Sequence, residues 1–133
     1  MKPSLAQLAG YAMSGLVVLF MLFDGVIKLI PLDIVIQTNA ELGYKSTPAL
    51  IRSLGLIGLA CTILYAYPRT AVFGAILLTA YMGGAIASQL RIGSPFFTHV
   101  LFGAYLAVLA WGGLYLRDPQ IRAVLIPAAS ASR

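Results

Sequence analysis

Four long apolar stretches, each close to the length of a membrane-spanning helix, constrain what this chain can fold into. They cover residues 5–30, 49–67, 70–90 and 96–117 of the 133-residue sequence. A helix needs roughly 20 apolar residues to cross a hydrocarbon layer about 30 Å thick. Membrane-spanning strands would be shorter and would alternate apolar with polar residues, a pattern not visible here. The sequence therefore predicts an all-α integral membrane four-helix bundle with short loops.

The composition agrees with a membrane location. Hydrophobic residues make up 60% of the chain and charged residues only 10%, whereas a soluble domain needs a larger charged surface. We predict a single transmembrane domain over residues 1–133, with a polar C-terminal tail over residues 118–133. The first apolar stretch is too long for a signal peptide and ends in Asp24 and Lys28, so we interpret it as a span.

The scarcity of cysteine and histidine excludes several kinds of chemistry. Cys61 is the one cysteine, so neither an internal disulfide nor a CxxC redox motif is available. His99 is the one histidine, so the chain cannot supply two histidine ligands to a haem or the Glu-x-x-His pairs of a di-iron site. We predict no metal site.

The distribution of charge predicts the orientation of the chain. Four crossings place both termini on one side of the membrane, here called the inner side. This side carries five Lys and Arg residues, and the outer side carries four. The positive-inside rule then predicts cytoplasmic termini. Orientation also explains the net charge of +5, so we expect no nucleic-acid partner. The inner cations are Lys2, Arg69, Arg117, Arg122 and Arg133, and the outer ones are Lys28, Lys45, Arg52 and Arg91. An aromatic belt is predicted at the inner level, formed by Tyr11, Tyr65, Tyr67, Trp111 and Tyr115.

The connection between the first and second spans, residues 31–48, carries a helical pattern. Asp33, Gln37 and Glu41 recur at every fourth position. Another face carries the apolar residues Leu32, Val35, Ile36 and Leu42. This spacing predicts a short amphipathic helix that lies in the membrane interface and ends at Gly43. An irregular loop is the alternative.

Small residues are frequent in the spans, where they let helix backbones approach closely. The segment YMGGA, residues 81–85, makes the third span the most glycine-rich, and we predict it to be the central packing helix. The alternative is that these glycines leave room for a ligand. The small residues are Gly10, Ser14, Gly55, Gly58, Ala80, Gly83, Gly84, Ala87, Ser88, Gly103, Ala107 and Gly112.

Polar residues from distant parts of the sequence fall at one level, in the outer half of the predicted bundle, while the inner half has little that is comparable. Insertion of a charged group at the bilayer centre costs a free energy on the order of 2.5–3.5 kcal/mol. An i,i+4 ion pair stabilises a helix by only about 0.3–0.5 kcal/mol. Asp24 and Lys28 therefore need further partners, and we predict a polar cluster inside the bundle. Snorkelling of Lys28 and Arg91 to the headgroups is the alternative.

Several motifs together resemble the DoxX-like family of small four-helix membrane proteins, which are common in bacteria. They are DGVIKL (24–29), LGY (42–44) followed by Pro48, PRTA (68–71), GGAIA (83–87) reaching Arg91, then His99, and WGGLYLRD (111–118). The resemblance implies the fold and a place in the bacterial cytoplasmic membrane. It also implies an association with membrane redox or oxidative-stress complexes, which some relatives have. The polar positions that match the family pattern are Asp24, Lys28, Arg91 and His99.

Three functions are open at this point. The first is a subunit that binds a quinone or lipid, or an accessory subunit of a redox or stress-response complex. Its expected partners are membrane proteins or further copies of itself. The second is a proton-coupled transporter of small molecules. The third is a membrane enzyme that acts on a lipid or quinone, with Asp24 and His99 as acid and base. Quinone is the one cofactor we expect. The candidate ligand-binding residues are Asp24, Lys28, Glu41, Arg52, Tyr81, Gln89, Arg91, His99 and Tyr105.

Overall fold

In a computed structural model, which describes residues 2–30, 33–44 and 47–126, the chain is helical throughout its regular structure. Within these residues, four helical segments are long and apolar enough to cross a membrane, which confirms the predicted fold class. A 3₁₀ turn over Pro68–Thr70 leads into the third span, and a π-helical turn over Phe96–Val100 leads into the fourth. The α-helices are α1 (Leu5–Leu29), α2 (Asp33–Glu41), α3 (Pro48–Ala66), α4 (Ala71–Arg91), α5 (Phe102–Arg117) and α6 (Pro119–Leu125).

Local sequence signals fix where the spans begin and end. Ser4 Oγ accepts a hydrogen bond from Gln7 N at 3.2 Å, and Gln7 Oε1 accepts one from Ser4 N at 2.9 Å, which forms a capping box at the start of α1. Thr47 caps α3 ahead of a proline in the first turn. After α4, Gly93 adopts a φ of +72°, a left-handed conformation that glycine reaches without strain and that ends the helix.

The four spans form a ring in the order α1, α3, α4, α5. Helix α1 packs mainly against α3 and α5, and α4 packs mainly against the same two helices, so α1 and α4 lie diagonally across the bundle. The core between them is centred on Val17, Met21, Tyr65, Leu78, Leu106, Ala110 and Leu114.

Glycines bring all four neighbouring helix pairs into close contact. Between α5 and α4, a Cβ atom at Gly103 would lie 3.0 Å from the carbonyl oxygen of Met82. A Cβ atom at Gly10 of α1 would lie 2.7 Å from the carbonyl oxygen of Gly113 in α5, and one at Gly55 of α3 would lie 2.9 Å from the carbonyl oxygen of Gly25 in α1. Gly74 of α4 lies directly against the backbone of Tyr65 in α3. These contacts follow the expected use of small residues in membrane helices.

The packing role predicted for the glycines of the third span is wrong for Gly83 and Gly84. Both are exposed on α4, and a Cβ atom at either one would meet nothing within 4 Å. The close contact of α4 with α3 is made instead two turns or more earlier, at Gly74. Gly84 faces open space, which is the situation that the alternative interpretation required.

The inner half holds a buried polar network that the sequence analysis did not predict. Tyr65, expected in the aromatic belt, is 0% exposed. Its hydroxyl donates to the carbonyl oxygen of Ala110 at 2.7 Å and lies 2.8 Å from Ser14 Oγ. The hydroxyl can be buried because α5 and α1 both supply partners. The guanidinium of Arg117 lies over the rings of Tyr11 and Tyr65, at 5.4 and 5.9 Å from their centroids.

The predicted polar tail is in part a helix. Asp118 Oδ1 accepts a hydrogen bond from Gln120 N at 2.9 Å and so caps α6. Ile121 is buried against the core, and Arg122 donates to the carbonyl oxygens of Tyr115 and Leu116. The apolar Ile121 gives residues 118–126 a reason to fold back on α5. Residues 127–133 lie outside the described part of the chain, as do Leu32 and Lys45.

Candidate functional site

Two cavities lie in the outer half of the bundle, where α1 and α4 end. The central cavity has a volume of about 230 Å³ and lies between α1, α4 and α5, with α2 across its outer end. The side cavity has a volume of about 250 Å³ and lies between α3 and α4, again beneath α2. One wall separates the cavities and contributes to both of them, and its residues are Lys28, Asn39, Leu42, Tyr81, Ala85 and Gln89.

Lys28 of this shared wall forms an ion pair with Asp24, which lines the central cavity. Lys28 Nζ donates to Asp24 Oδ2 at 2.7 Å, and the two side chains are only 16% and 24% exposed. The ammonium also donates to Tyr81 Oη at 3.1 Å. The hydroxyl of Tyr81 in turn points at the carbonyl oxygen of Leu54 in α3, 3.4 Å away. Lys28 thus has the further partner that a charge in an apolar helix requires, and the contact joins α1 to α4 across the bundle.

Two amides add uncharged hydrogen-bonding groups to the same wall. Asn39 is 6% exposed, and its Nδ2 donates to the carbonyl oxygen of Val35 at 2.8 Å. No described residue donates to its Oδ1, which is left as an acceptor. Gln89 Oε1 accepts from Ser94 Oγ at 2.6 Å, and no described residue accepts from its amide nitrogen. The wall therefore presents both a free donor and a free acceptor.

Helix α2 forms the cover of both cavities and confirms the predicted amphipathic helix between the first two spans. Asp33, Gln37 and Glu41 are exposed, whereas Val35 and Asn39 are buried. The helix ends as predicted at Gly43, whose φ is +85°. Tyr44 N bonds to the Asn39 carbonyl at 3.1 Å and Gly43 N bonds to the Ala40 carbonyl at 2.9 Å, the pattern of a Schellman cap.

Two side-chain contacts hold this cover against α4. Arg91 Nη2 donates to the carbonyl oxygen of Leu42 at 2.5 Å. Tyr44 Oη lies 2.8 Å from Ser88 Oγ, and either hydroxyl can donate. Both contacts join the C-terminal end of α2 to the last turns of α4. The position of α2 over the cavities therefore depends on α4 as well as on its own packing.

The structure brings five of the nine candidate residues to the central cavity: Asp24, Lys28, Tyr81, Gln89 and His99. His99 comes from the π-helical turn, and its Nδ1 lies 2.8 Å from Thr98 Oγ1. For Asp24 and Lys28 this position supports the predicted cluster inside the bundle over simple snorkelling, whereas His99 is exposed at the edge of the cavity. Ligand contact by these residues stays a prediction.

The other four candidates line neither of these cavities. Glu41 and Arg52 are exposed. Arg91 is committed to the Leu42 carbonyl, and Tyr105 donates to the carbonyl oxygen of Phe97 at 2.7 Å. The depth predicted from the sequence placed these residues at the level of the cavities. Which side chains face the interior depends also on the rotation of each helix about its axis.

Sequence reasoning missed four polar residues that line the cavities, Thr38, Asn39, Tyr44 and Ser88. Thr38 lies on α2 and is exposed. Asn39 lies one helical turn after Val35 and shares its buried face, but only apolar residues were assigned to that face. Ser88 was interpreted as a packing residue and Tyr44 only as part of the outer connection. A signal for Asn39 was available, because a polar residue on the apolar face of an amphipathic helix needs a partner.

The described residues define a class: a membrane protein of four spans with polar-walled cavities at one end of the bundle. The sequence model of the DoxX-like family matches residues 12–113, and the chain belongs to that family. The match includes all nine candidate residues and leaves out α6. Comparison with curated proteins and with solved structures finds no match. Within the described residues, no cluster of three or more His, Cys, Asp or Glu side chains is placed to hold a metal ion.

Replacement of Arg91 by methionine should loosen the cover. Arg91→Met keeps an apolar stem but removes the hydrogen bond to the Leu42 carbonyl, a contact of about 1 kcal/mol, so amide exchange in residues 35–44 should rise roughly fivefold. Hydrogen exchange followed by mass spectrometry measures this. Arg52→Met, at an exposed arginine of the same outer level, is the control and should leave α2 unchanged. Equal exchange in the two variants would contradict the role given to Arg91.

Proposed function

We propose that this DoxX-like protein binds a small amphipathic molecule with an uncharged polar head, a quinone or a neutral lipid, in the cavities beneath α2. In this role it serves as a binding or accessory subunit of a membrane redox or stress-response complex. The observation that carries the proposal is the shared wall, where two amides and Lys28, neutralised by Asp24, border both cavities.

The dimensions of the cavities suit such a ligand. Pockets for small molecules are usually about 300–1,000 Å³ in volume and are mostly apolar, with a few polar groups that fix orientation. The central and side cavities, at about 230 and 250 Å³, each fall just below this range and together fall within it. Because they share six residues, one molecule that displaces the Tyr81 side chain slightly would occupy both.

The charge of the wall favours an uncharged head. Of the described carboxylate, ammonium and guanidinium groups, only those of Asp24 and Lys28 line the two cavities, and they neutralise each other. A third N–H of Lys28 and the amide of Gln89 would donate to carbonyl oxygens, while Asn39 Oδ1 would accept from a hydroxyl. A quinone offers the carbonyls and its reduced form the hydroxyls. A bound quinone would carry the electrons, and the protein would hold and orient it.

Transport and catalysis have less support. Beneath the central cavity, core side chains that include Val17, Leu78 and Ala110 leave a void of only about 10 Å³, which has room for at most about one water molecule and is too small for a path toward the inner side at this point. Asp24 is bonded to Lys28 and His99 Nδ1 to Thr98. Neither is hydrogen-bonded to the other, as an acid–base pair for catalysis would be.

We further propose that the chain lies in a bacterial cytoplasmic membrane with both termini in the cytoplasm. Arg69, Arg117 and Arg122 gather at the end of the bundle where α4 begins and α5 ends, as the positive-inside rule requires. A C-terminal fusion to green fluorescent protein should fluoresce, and a C-terminal fusion to alkaline phosphatase should be inactive. The reverse pair of results would overturn this orientation.

Quinone should copurify with the protein. After purification from a bacterial membrane in mild detergent, mass spectrometry of the extracted lipids should show more quinone relative to phospholipid than the whole membrane contains. Lys28→Met should reduce this enrichment about tenfold, since it removes a charged donor worth roughly 1.5 kcal/mol and leaves Asp24 unpaired. Arg52→Met is the matched control and should keep the enrichment.

Three results of that measurement decide the proposal. Enrichment that depends on Lys28 supports it. Enrichment of a neutral lipid in place of quinone would keep the class of ligand and reject the redox role. Lipid extracts with the composition of the surrounding membrane, in the wild type and in both variants, would contradict ligand binding in the outer cavities.

A further inference from the structure

The side cavity opens sideways, between α3 and α4, toward the apolar surroundings of the bundle. We propose that this opening, here called the lateral slot, is the entrance for the ligand and holds its apolar tail while the polar head reaches the shared wall. The inference rests on the proposed function and adds to it the route by which the ligand enters and the orientation of its head and tail in the cavity.

The rim of the lateral slot is built from small residues on one face of α4. Ala80, Gly84 and Ser88 follow one another at intervals of four and all line the side cavity. Ala80 and Gly84 are exposed, so the cavity reaches the surface at this rim. Eight residues of helix measure about 12 Å. The slot therefore runs along the direction of the spans, as a lipid tail does, with Leu54 of α3 on the opposite side.

Gly84 keeps the slot clear. A stripe of small residues in a membrane helix ordinarily marks a close approach to another helix, but a Cβ atom at Gly84 would meet nothing within 4 Å. The space beside it belongs to a cavity of about 250 Å³. A large side chain at this position would project into that space, whereas the backbone of glycine leaves it free.

Asn39, on α2, adds a polar group to the outer end of the slot, beneath the cover. The side chain lines the side cavity and is more than nine-tenths buried, and no described residue donates to its Oδ1. Its Nδ2 is engaged by the Val35 carbonyl, so the Oδ1 is available to accept from a hydroxyl of a ligand. Lys28 and Tyr81 stand in the same wall. The slot is therefore apolar where it opens and polar where it ends, which suits a molecule that enters head first.

The cover formed by α2 makes the lateral route more direct than a route from water. Arg91 and Tyr44 fasten the end of α2 to α4, so a ligand that arrives from the aqueous side must displace this helix. A quinone with an isoprenoid tail is dissolved in the bilayer already. Through the slot it reaches the cavity without exposure of its tail to water and without movement of α2.

Substitutions at two neighbouring glycines test the slot. Gly83 and Gly84 are both exposed, both on α4 and both free of neighbours, but only Gly84 lines the cavity. Equilibrium binding to the purified full chain is measured with menaquinone-4, which carries an isoprenoid tail, and with menadione, its tail-less head. Gly84→Leu should weaken menaquinone-4 binding about tenfold and menadione binding less than about twofold. Gly83→Leu should leave both unchanged.

Ala80→Leu, on the same rim, is the second variant if Gly84→Leu does not fold, and each variant is checked by its elution volume and thermal unfolding.

Selective loss of the tailed quinone in a rim variant supports the slot. Wild-type affinity for menaquinone-4 in Gly84→Leu and Ala80→Leu would overturn the slot and leave the proposed function standing. Equal weakening in Gly83→Leu and Gly84→Leu, with a change of oligomeric state, would assign the stripe to helix packing. Failure of the wild type to bind either probe would overturn quinone as the ligand, and with it the slot as a quinone entrance.

Discussion

An ammonium group within an apolar helix must be matched by an anion and by further hydrogen-bond partners, and Lys28 meets this constraint through Asp24 and Tyr81. The carboxylate comes from the same helix, one turn away, whereas the phenol comes from α4 on the far side of the bundle. Because α1 and α4 pack mainly against α3 and α5, the polar contact spans a gap that side-chain packing does not close. The two cavities are what remains of this gap on either side of the contact.

The two halves of the bundle solve the problem of buried polarity in different ways. In the inner half, Gly10, Gly74 and Gly113 let the backbones meet, and the one deeply buried phenol, Tyr65, finds its partners on α1 and α5. In the outer half the glycines of α4 touch no neighbour, and polar groups line open space. Close contact continues into the outer half between α1 and α3, at Gly25 and Gly55, so the open space there is confined to the cavities beneath α2. A packed bundle with covered cavities at one end suits the proposed binding.

The sequence carried enough information for the architecture because length and hydropathy alone determine how many helices can span a membrane. It also indicated α2, through acidic and amide residues at every fourth position, and the Asp24–Lys28 pair, through the cost of charge in hydrocarbon. It did not reveal the burial of Tyr65 or Asn39, or the open face at Gly84. Each of these depends on the rotation of a helix about its axis, and a span that is apolar all round gives no periodic signal for that rotation.

A double-mutant cycle on Asp24 and Lys28, measured as free energies of unfolding in a membrane mimetic, tests the central claim most directly. If the pair is held inside the bundle, Asp24→Asn and Lys28→Met should each lower stability by about 1–3 kcal/mol, since each leaves a polar partner unsatisfied. The double variant should then cost less than the two effects added, with a coupling energy of at least about 1 kcal/mol. Additive effects, with a coupling near zero, would show that the two side chains reach the headgroups independently and that no shared polar wall exists.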